Sequence, residues 1–360
     1  MTTKRELEQT FKQVTKFSKS HERIILQHSL PLPLTMRSTI ELTDSSPCTI
    51  TATIDGDITH EFTVTVTVAD FARLLRAMPN NDDILDISMR TGSTERLEIR
   101  QGNRVYTISC QMEGKIKHPL IVGKYQLYFD EAQKAIQEVL PAVGHDHSRP
   151  ILSHIYCTGD RMVAADGYIL TVTDYLTPGC FELLLPYEVA TIIADMPSTT
   201  NHLLVRNESD CGIVVGKLTF QFDKPLHKYP DFSQIIPPRD TTHPHAFFIN
   251  TKDLTKELKL AMKVNSDRAT FVLDKDSSAV VVEASDSLGM TTAASLPIEI
   301  SSCPDEPVDV CYNPHYVLAG LKAAGSKRVY IQIDRDNKLF ITPQALCYPL
   351  TILMPIHRSK

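Results

Sequence analysis

The stretch Asn250-Thr251-Lys252-Asp253-Leu254-Thr255-Lys256-Glu257-Leu258-Lys259-Leu260-Ala261-Met262-Lys263 carries two interleaved periods. Leu254, Leu258 and Ala261 stand at i, i+4 and i+7, which is one apolar stripe of an α-helix. Lys252, Lys256, Lys259 and Lys263 follow the same spacing two positions out of phase, about 200° around the helix from the stripe. Asn250 and Thr251 are candidate caps, and Asp253 lies in the first turn, where the helix dipole favours an anion. The segment predicts a helix with one face turned to a core and the opposite face cationic.

The apolar stripe occurs twice more. Ala132, Ile136 and Val139 carry it 122 residues earlier, and Leu7, Phe11 and Val14 a further 125 residues upstream. A second helix follows in each repeat. Val68-Ala69-Asp70-Phe71-Ala72-Arg73-Leu74-Leu75-Arg76-Ala77-Met78-Pro79 matches Pro186-Tyr187-Glu188-Val189-Ala190-Thr191-Ile192-Ile193-Ala194-Asp195-Met196-Pro197, with the two Met-Pro endings 118 residues apart. The third counterpart is Asn313 to Lys322. Alternating strands lie between the helices. Leu97–Arg100 and Val105–Ile108 flank Gly102-Asn103, and Val329–Ile333 and Leu339–Ile341 flank Asp334 to Asn337. Both pairs read as hairpins. Hairpin-linked strands mean antiparallel sheet, so the class is α+β. A period near 120 residues is too long for a solenoid and predicts three tandem similar domains of antiparallel sheets and paired helices, spanning 1–123, 124–245 and 246–360.

Bulk properties narrow the function. A chain of 360 residues with 42% hydrophobic and 22% charged residues reads as globular and multidomain. The formal charge of −6 argues against a protein coated in nucleic acid, but not against one whose cations gather on a single surface. The eight cysteines form no CxxC pair, so reduced core positions are expected rather than disulfides or metal ligands. The polar start, Met1-Thr2-Thr3-Lys4-Arg5-Glu6, lacks the apolar core of a signal peptide, and the cytoplasm is the expected compartment.

Four stretches resemble the bacterial DNA polymerase III beta subunit, the sliding clamp, in family order and spacing. Met162-Val163-Ala164-Ala165-Asp166-Gly167-Tyr168-Ile169-Leu170 is similar to its "VATDGHRL" hairpin. Lys228-Tyr229-Pro230-Asp231-Phe232-Ser233-Gln234-Ile235-Ile236-Pro237 is similar to its "FPDYxxxxP" segment. Asn313 to Leu318 resembles its "NxxYxL" helix, and Ile352-Leu353-Met354-Pro355-Ile356 its "xxMPM" tail. The resemblance runs from about Val64 to the C-terminus and is faint before that. The family's first-domain "DFP" segment has become Glu113 to Pro119. The resemblance implies a ring of two three-domain subunits, joined head to tail, that encircles duplex DNA without sequence preference. It also implies tethering of DNA polymerase and clamp loader through short linear motifs, with no cofactor, metal or catalysis.

On that reading the cationic helix faces meet phosphates. Lys252, Lys256, Lys259 and Lys263 form one set. Arg5, Lys12 and Lys16, aligned with Gln9 in the first repeat, form another. The middle repeat breaks the stripe, with Asp130, Lys134, Gln137 and Pro141 at the corresponding positions. Lys134 and the loop His145-Asp146-His147-Ser148-Arg149 stand in for it, ending on Arg149. Lys19 and Arg23 occupy the family's first-domain loop, and Arg73 and Arg76 complete the candidates. The implied peptide pocket comprises Leu152, Ala165, Gly167, Tyr168, Leu170, Pro230, Gln234, Ile235, Asn313, Tyr316, Ile352, Leu353, Met354, Pro355 and Ile356. Aliphatic walls and an adaptable Met suit the apolar anchors of an extended peptide. Tyr168, Ile169, Gln234 and His357 replace basic or polar residues of the family, so this pocket is expected to be more apolar and less basic at its rim.

Enzyme motifs are missing from the sequence. It holds no Walker or dinucleotide glycine loop, no GxSxG and no HExxH. His145-x-His147 and His243-x-His245 lack a Cys or carboxylate set at ligand spacing. Asp166-Gly167 reads as a hairpin turn rather than a catalytic carboxylate. The alternative reading is a hydrolase or other enzyme on a multidomain α+β fold.

Overall fold

The structure, a computed structural model, describes residues 2–19, 22–28, 33–54, 61–80, 83–91, 94–114, 125–175, 182–198, 202–207, 210–225, 227–238, 241, 243–273, 278–302, 307–345 and 347–356. Lys115 to Pro119 and His357, two of the departures from the family pattern, lie outside these residues.

Among the described residues six α-helices form where the apolar stripes fall: α1 (Lys4–Val14), α2 (Val68–Ala77), α3 (Phe129–Val139), α4 (Tyr187–Ala194), α5 (Thr251–Val264) and α6 (Pro314–Ala324). Their starts follow capping chemistry. The Thr3 hydroxyl accepts from the Glu6 N–H, the Thr67 hydroxyl from Asp70, and the Asn313 amide oxygen from His315. Asn250 accepts from both Lys252 and Asp253. Gly325, in the left-handed conformation at φ 60, ends α6. The element order helix, strands, helix, strands runs three times along the chain.

Two compact units result: Met1–Asp130 with Thr191–Lys224, and Glu131–Ala190 with Pro225–Lys360. The first holds a nine-stranded antiparallel sheet. From edge to edge it runs Gln111–Met112, Phe62–Thr67, Arg23–His28, Leu34–Glu41, Pro47–Ile54, Leu218–Asp223, Asp210–Val215, His202–Asn207 and Tyr125–Tyr128. A smaller sheet, Leu85–Arg90, Arg96–Gln101 and Arg104–Ser109, accompanies it. Gln101 pairs with Arg104, so Gly102-Asn103 is a two-residue turn, and Gly102 supplies the positive φ of 55 that such a turn requires.

The second unit holds twelve strands: Leu183–Pro186, His154–Cys157, Arg161–Ala165, Ile169–Asp174, Leu350–Leu353, Leu339–Thr342, Arg328–Ile333, His245–Asn250, Thr291–Ser302, Ala279–Ser285, Ala269–Leu273 and Val308–Tyr312. Repeats and compact units do not coincide, because strands of neighbouring repeats pair. Pro47–Ile54 joins Leu218–Asp223, and Ile169–Asp174 joins Leu350–Leu353.

The helices pack by their apolar stripes. Leu7, Phe11 and Val14 of α1 are buried on the strands Leu34–Glu41 and Pro47–Ile54, and Phe11 meets Phe71 of α2 at 5.3 Å between ring centroids. Leu254, Leu258 and Ala261 of α5 are buried on Ala279–Ser285 and Thr291–Ser302. Burying each of these Leu side chains contributes about 1.5–3 kcal/mol. α6 lies so close to its sheet that a Cβ on Gly320 would stand 2.8 Å from Ile341 Cδ1. Among the described residues no helix is long and apolar enough to cross a membrane.

Candidate functional site

A cavity of about 540 Å³ opens in the second unit. Leu170 and Ile352 bring to its lining the edge of a buried apolar cluster of Val163, Leu170, Val172, Phe340, Leu350 and Ile352, on which Ala165, Tyr229, Phe232 and Ile236 pack. Strand alternation decides which tail residues reach the cavity. Ile352 and Met354 line it, while Leu353, one step out of phase, is 1% exposed in the sheet.

Three segments build the walls, each held by a carboxylate that accepts backbone N–H groups. In the first, Asp166 Oδ1 takes the N–H of Tyr168 at 2.8 Å and of Ile169 at 3.0 Å, which closes the turn. Gly167 in that turn has φ +102, and a Cβ there would stand 2.5 Å from Arg149 Nη1. The positive φ calls for glycine, whereas a Cβ would only have to displace the end of the flexible Arg149 side chain. In the second, Asp231 accepts the Ser233 N–H at 2.9 Å and its hydroxyl at 2.7 Å, and these bonds hold the Asp231 carboxyl below its ordinary range. In the third, Asp146 takes the Ser148 N–H at 2.8 Å, and its carboxyl is likewise lowered, chiefly by the Ser148 hydroxyl.

Aromatic rings stiffen the walls. Tyr229 stacks on Tyr156 at 5.3 Å and 6°, and burial pushes its phenol up. Phe232 meets Tyr156 edge-on at 6.0 Å. Tyr168, 60% exposed, stacks on Tyr316 of α6 at 6.5 Å and 16°. The Met354 N–H donates to the Tyr168 carbonyl at 2.9 Å and ties the tail to the turn. The cavity is thus apolar, part aromatic and preformed. Arg149 lies at its edge, close enough to Asp146 to help lower that carboxyl.

The cationic surfaces are a separate feature. On α5, Lys252, Lys256, Lys259 and Lys263 are all exposed, opposite the buried stripe. Lys256 pairs with Glu257 at 3.1 Å, and the other three have no described carboxylate within ion-pair distance. On α1, Arg5, Gln9 and Lys12 are exposed in the same phase, and Lys16 is exposed in the turn just past its end. Here Lys12 pairs with Glu8 at 2.9 Å and Lys16 with Asp195 at 2.5 Å.

Comparison with known proteins bears on the fold. No family model matches the chain, and no curated protein matches it in sequence. Solved structures do. The beta subunit of DNA polymerase from Streptococcus pyogenes superposes with a TM-score of 0.82 at 14% identity, covering 99% of both chains. The DNA polymerase III beta chain of Streptococcus pneumoniae gives 0.83 at 16%, covering 99% of this chain and 98% of that one. The sliding clamp of Bartonella birtlesii, solved bound to griselimycin, gives 0.83 at 14% with the same coverage.

The chain has the DNA polymerase III beta-subunit fold.

Within this beta-subunit fold the sequence-derived pocket set divides. Leu152, Ala165, Gly167, Tyr168, Leu170, Pro230, Ile235, Ile352 and Met354 line the cavity together. Gln234 is exposed beside it without lining it. Asn313 caps α6, and Tyr316 stands behind Tyr168. Leu353 is core, Pro355 does not line the cavity, and the Ile356 N–H bonds the Cys311 carbonyl at 2.8 Å. Arg149, assigned to DNA from sequence, lines the cavity. Sequence reasoning missed Ser148, Pro150, Ile151, His227, Asp231, Tyr229 and Phe232 as lining residues. The last three sit inside the quoted Lys228–Pro237 segment, so their proximity was the available signal.

The remaining cations are scattered. Lys19 and Arg76 are exposed, and Arg73 pairs with Asp70 at 2.8 Å. Arg23 donates to Gln111 at 2.5 Å. Lys134 lies 3.8 Å from Glu138, whose carboxyl burial pushes up.

Proposed function

We propose that the chain is a DNA sliding clamp. Two copies, each of three tandem domains, close head to tail into a ring around duplex DNA and tether polymerase and clamp loader by short peptides in the cavity. The observation that carries this reading is the superposition on beta-subunit structures over 99% of the chain. The phased lysine faces of α5 and α1 support it. Dispersed cations without base-reading geometry hold phosphates and leave the protein free to slide.

Ring closure draws support from two surfaces with exposed apolar side chains. A groove of about 500 Å³ runs between α2 and the strand Arg104–Ser109, with Val105 49% exposed. In the second unit, the turn after Ala279–Ser285 presents Leu288 at 91% and Met290 at 59% exposure. We propose that the second surface, with Met262 and Arg268 nearby in sequence, meets the first on the other copy. Two such head-to-tail contacts, related by a two-fold axis, then close a ring of six similar domains. Light scattering at micromolar concentration should show a particle of twice the 40.3 kDa chain mass. A stable monomer would overturn the ring.

The cavity is the proposed peptide site. Thr351 to Leu353 belong to an interior strand paired on both sides, so a truncation that tests the tail starts after Leu353. Removing Met354 onward should weaken binding of a labelled Gln-Leu-x-Leu-Phe-type peptide at least about tenfold, since an anchor contact is typically worth ~2 kcal/mol. Unchanged affinity would remove the tail from the site.

A further inference from the structure

Tyr168 is the residue of the cavity whose geometry says most about its ligand. A large aromatic side chain, 60% exposed at the mouth of an apolar cavity, has not been placed there by core packing. Nor is it loose. One ring contact is with Tyr316 at 6.5 Å and 16°. Its own N–H is bound by Asp166 and its carbonyl by the Met354 N–H. The next residue, Ile169, is 2% exposed and paired with Leu353 in the sheet. The backbone on both sides of the ring is therefore fixed, and a ligand stacking on it meets a preorganised surface.

We propose that Tyr168 is a specificity-determining residue that selects ligands with an aromatic anchor by ring–ring contact, extending the Tyr168–Tyr316 stack by one member. This rests on the cavity being the peptide site. The occupant is a short extended peptide with an aromatic side chain at one anchor position and aliphatic side chains at the others. Aromatic rings attract in offset or edge-on arrangements beyond what area burial gives. Tyr229 and Phe232 of the same lining add to the aromatic surface. A saturated ring of equal size fills the same space but lacks the quadrupole, so it separates stacking from plain burial.

The test uses the full-length protein and two fluorescently labelled peptides identical except for the final anchor, phenylalanine in one and cyclohexylalanine in the other. Wild type should prefer the phenylalanine peptide about three- to tenfold. Tyr168→Phe should keep that preference. Tyr168→Leu should abolish it, bringing the affinities for the two peptides within about twofold of each other. Thermal melting of both variants verifies folding, which an exposed turn position should preserve. Binding of both peptides by wild type without preference, or a preference unchanged in Tyr168→Leu, overturns the assignment and leaves the peptide site standing. Failure of wild type to bind either peptide overturns both.

Discussion

Helices α1 and α5 share a plan and differ in how freely their charges are held. Each buries an apolar stripe and exposes a cationic face in the same phase. On α5 three of four lysines have no described carboxylate in reach. On α1, Glu8 neutralises Lys12 from one turn away, and Asp195 neutralises Lys16 from a segment 179 residues distant. Lys4, beside the face, is buried and bonds the Met78 carbonyl at 2.7 Å. A periodic pattern thus specifies which way a charge points, but not whether it remains available to a phosphate. Exposed pairs are individually weak, at about 0–1 kcal/mol, yet each must be broken before its lysine can serve DNA.

The comparison breaks most visibly under alanine substitution. Replacing Lys252, Lys256, Lys259 and Lys263 together should lower the slope of log K against log salt for duplex DNA by about 2.7, at ~0.9 per phosphate contact for the three lysines without a carboxylate in reach. The matching first-repeat set, Arg5, Lys12 and Lys16, should change it by about 1, since Arg5 alone of the three has no described carboxylate in reach. Equal changes from the two sets would show that the pairing on α1 is irrelevant in solution.

Freeing the α1 lysines sharpens the same point. Glu8→Gln with Asp195→Asn should steepen the wild-type slope by up to about 1.8. Glu8 also gives a pH signature. Its carboxyl is held below the ordinary range, chiefly by the hydrogen bond from Lys12. A depressed carboxylate stabilises the fold above its unfolded pKa of about 4.3, and that stabilisation is lost as pH falls through the lower folded value. Melting curves of wild type and Glu8→Gln should therefore differ slightly at neutral pH and converge in acid. A difference that grows in acid would reverse the assignment.

The smallest effects concern the caps. Asn250 accepts two N–H groups, at 2.9 and 3.2 Å, whereas Thr3 accepts one at 3.3 Å. Asn250→Ala should destabilise by about 1 kcal/mol and Thr3→Ala by about 0.5 kcal/mol in denaturant titrations.

The two helices also mark how far the sequence could be read. All six helices and both quoted hairpins were legible, because periodicity and turn chemistry are local. The three long strands before Phe62 were not identified. Their apolar alternation is diluted by threonine, as in Leu34-Thr35-Met36-Arg37-Ser38-Thr39-Ile40-Glu41. The pairing of Lys16 with Asp195 was invisible because nothing local couples the two positions. In the cavity, motif likeness located the segments, but strand phase sorted them. Leu353 turned into the sheet while Met354 on one side and Ile352 on the other reached the cavity. Arg149, an expected DNA contact, also lines the cavity edge, with its guanidinium over Gly167.

Retention on circular DNA tests the encircling account most directly. The protein is incubated with a nicked plasmid, gel-filtered at physiological salt, and filtered again after a single restriction cut. A ring that holds phosphates loosely should stay with the circle and leave once the DNA has ends. Equal retention on circular and cut DNA would contradict it, since simple electrostatic binding does not distinguish the two.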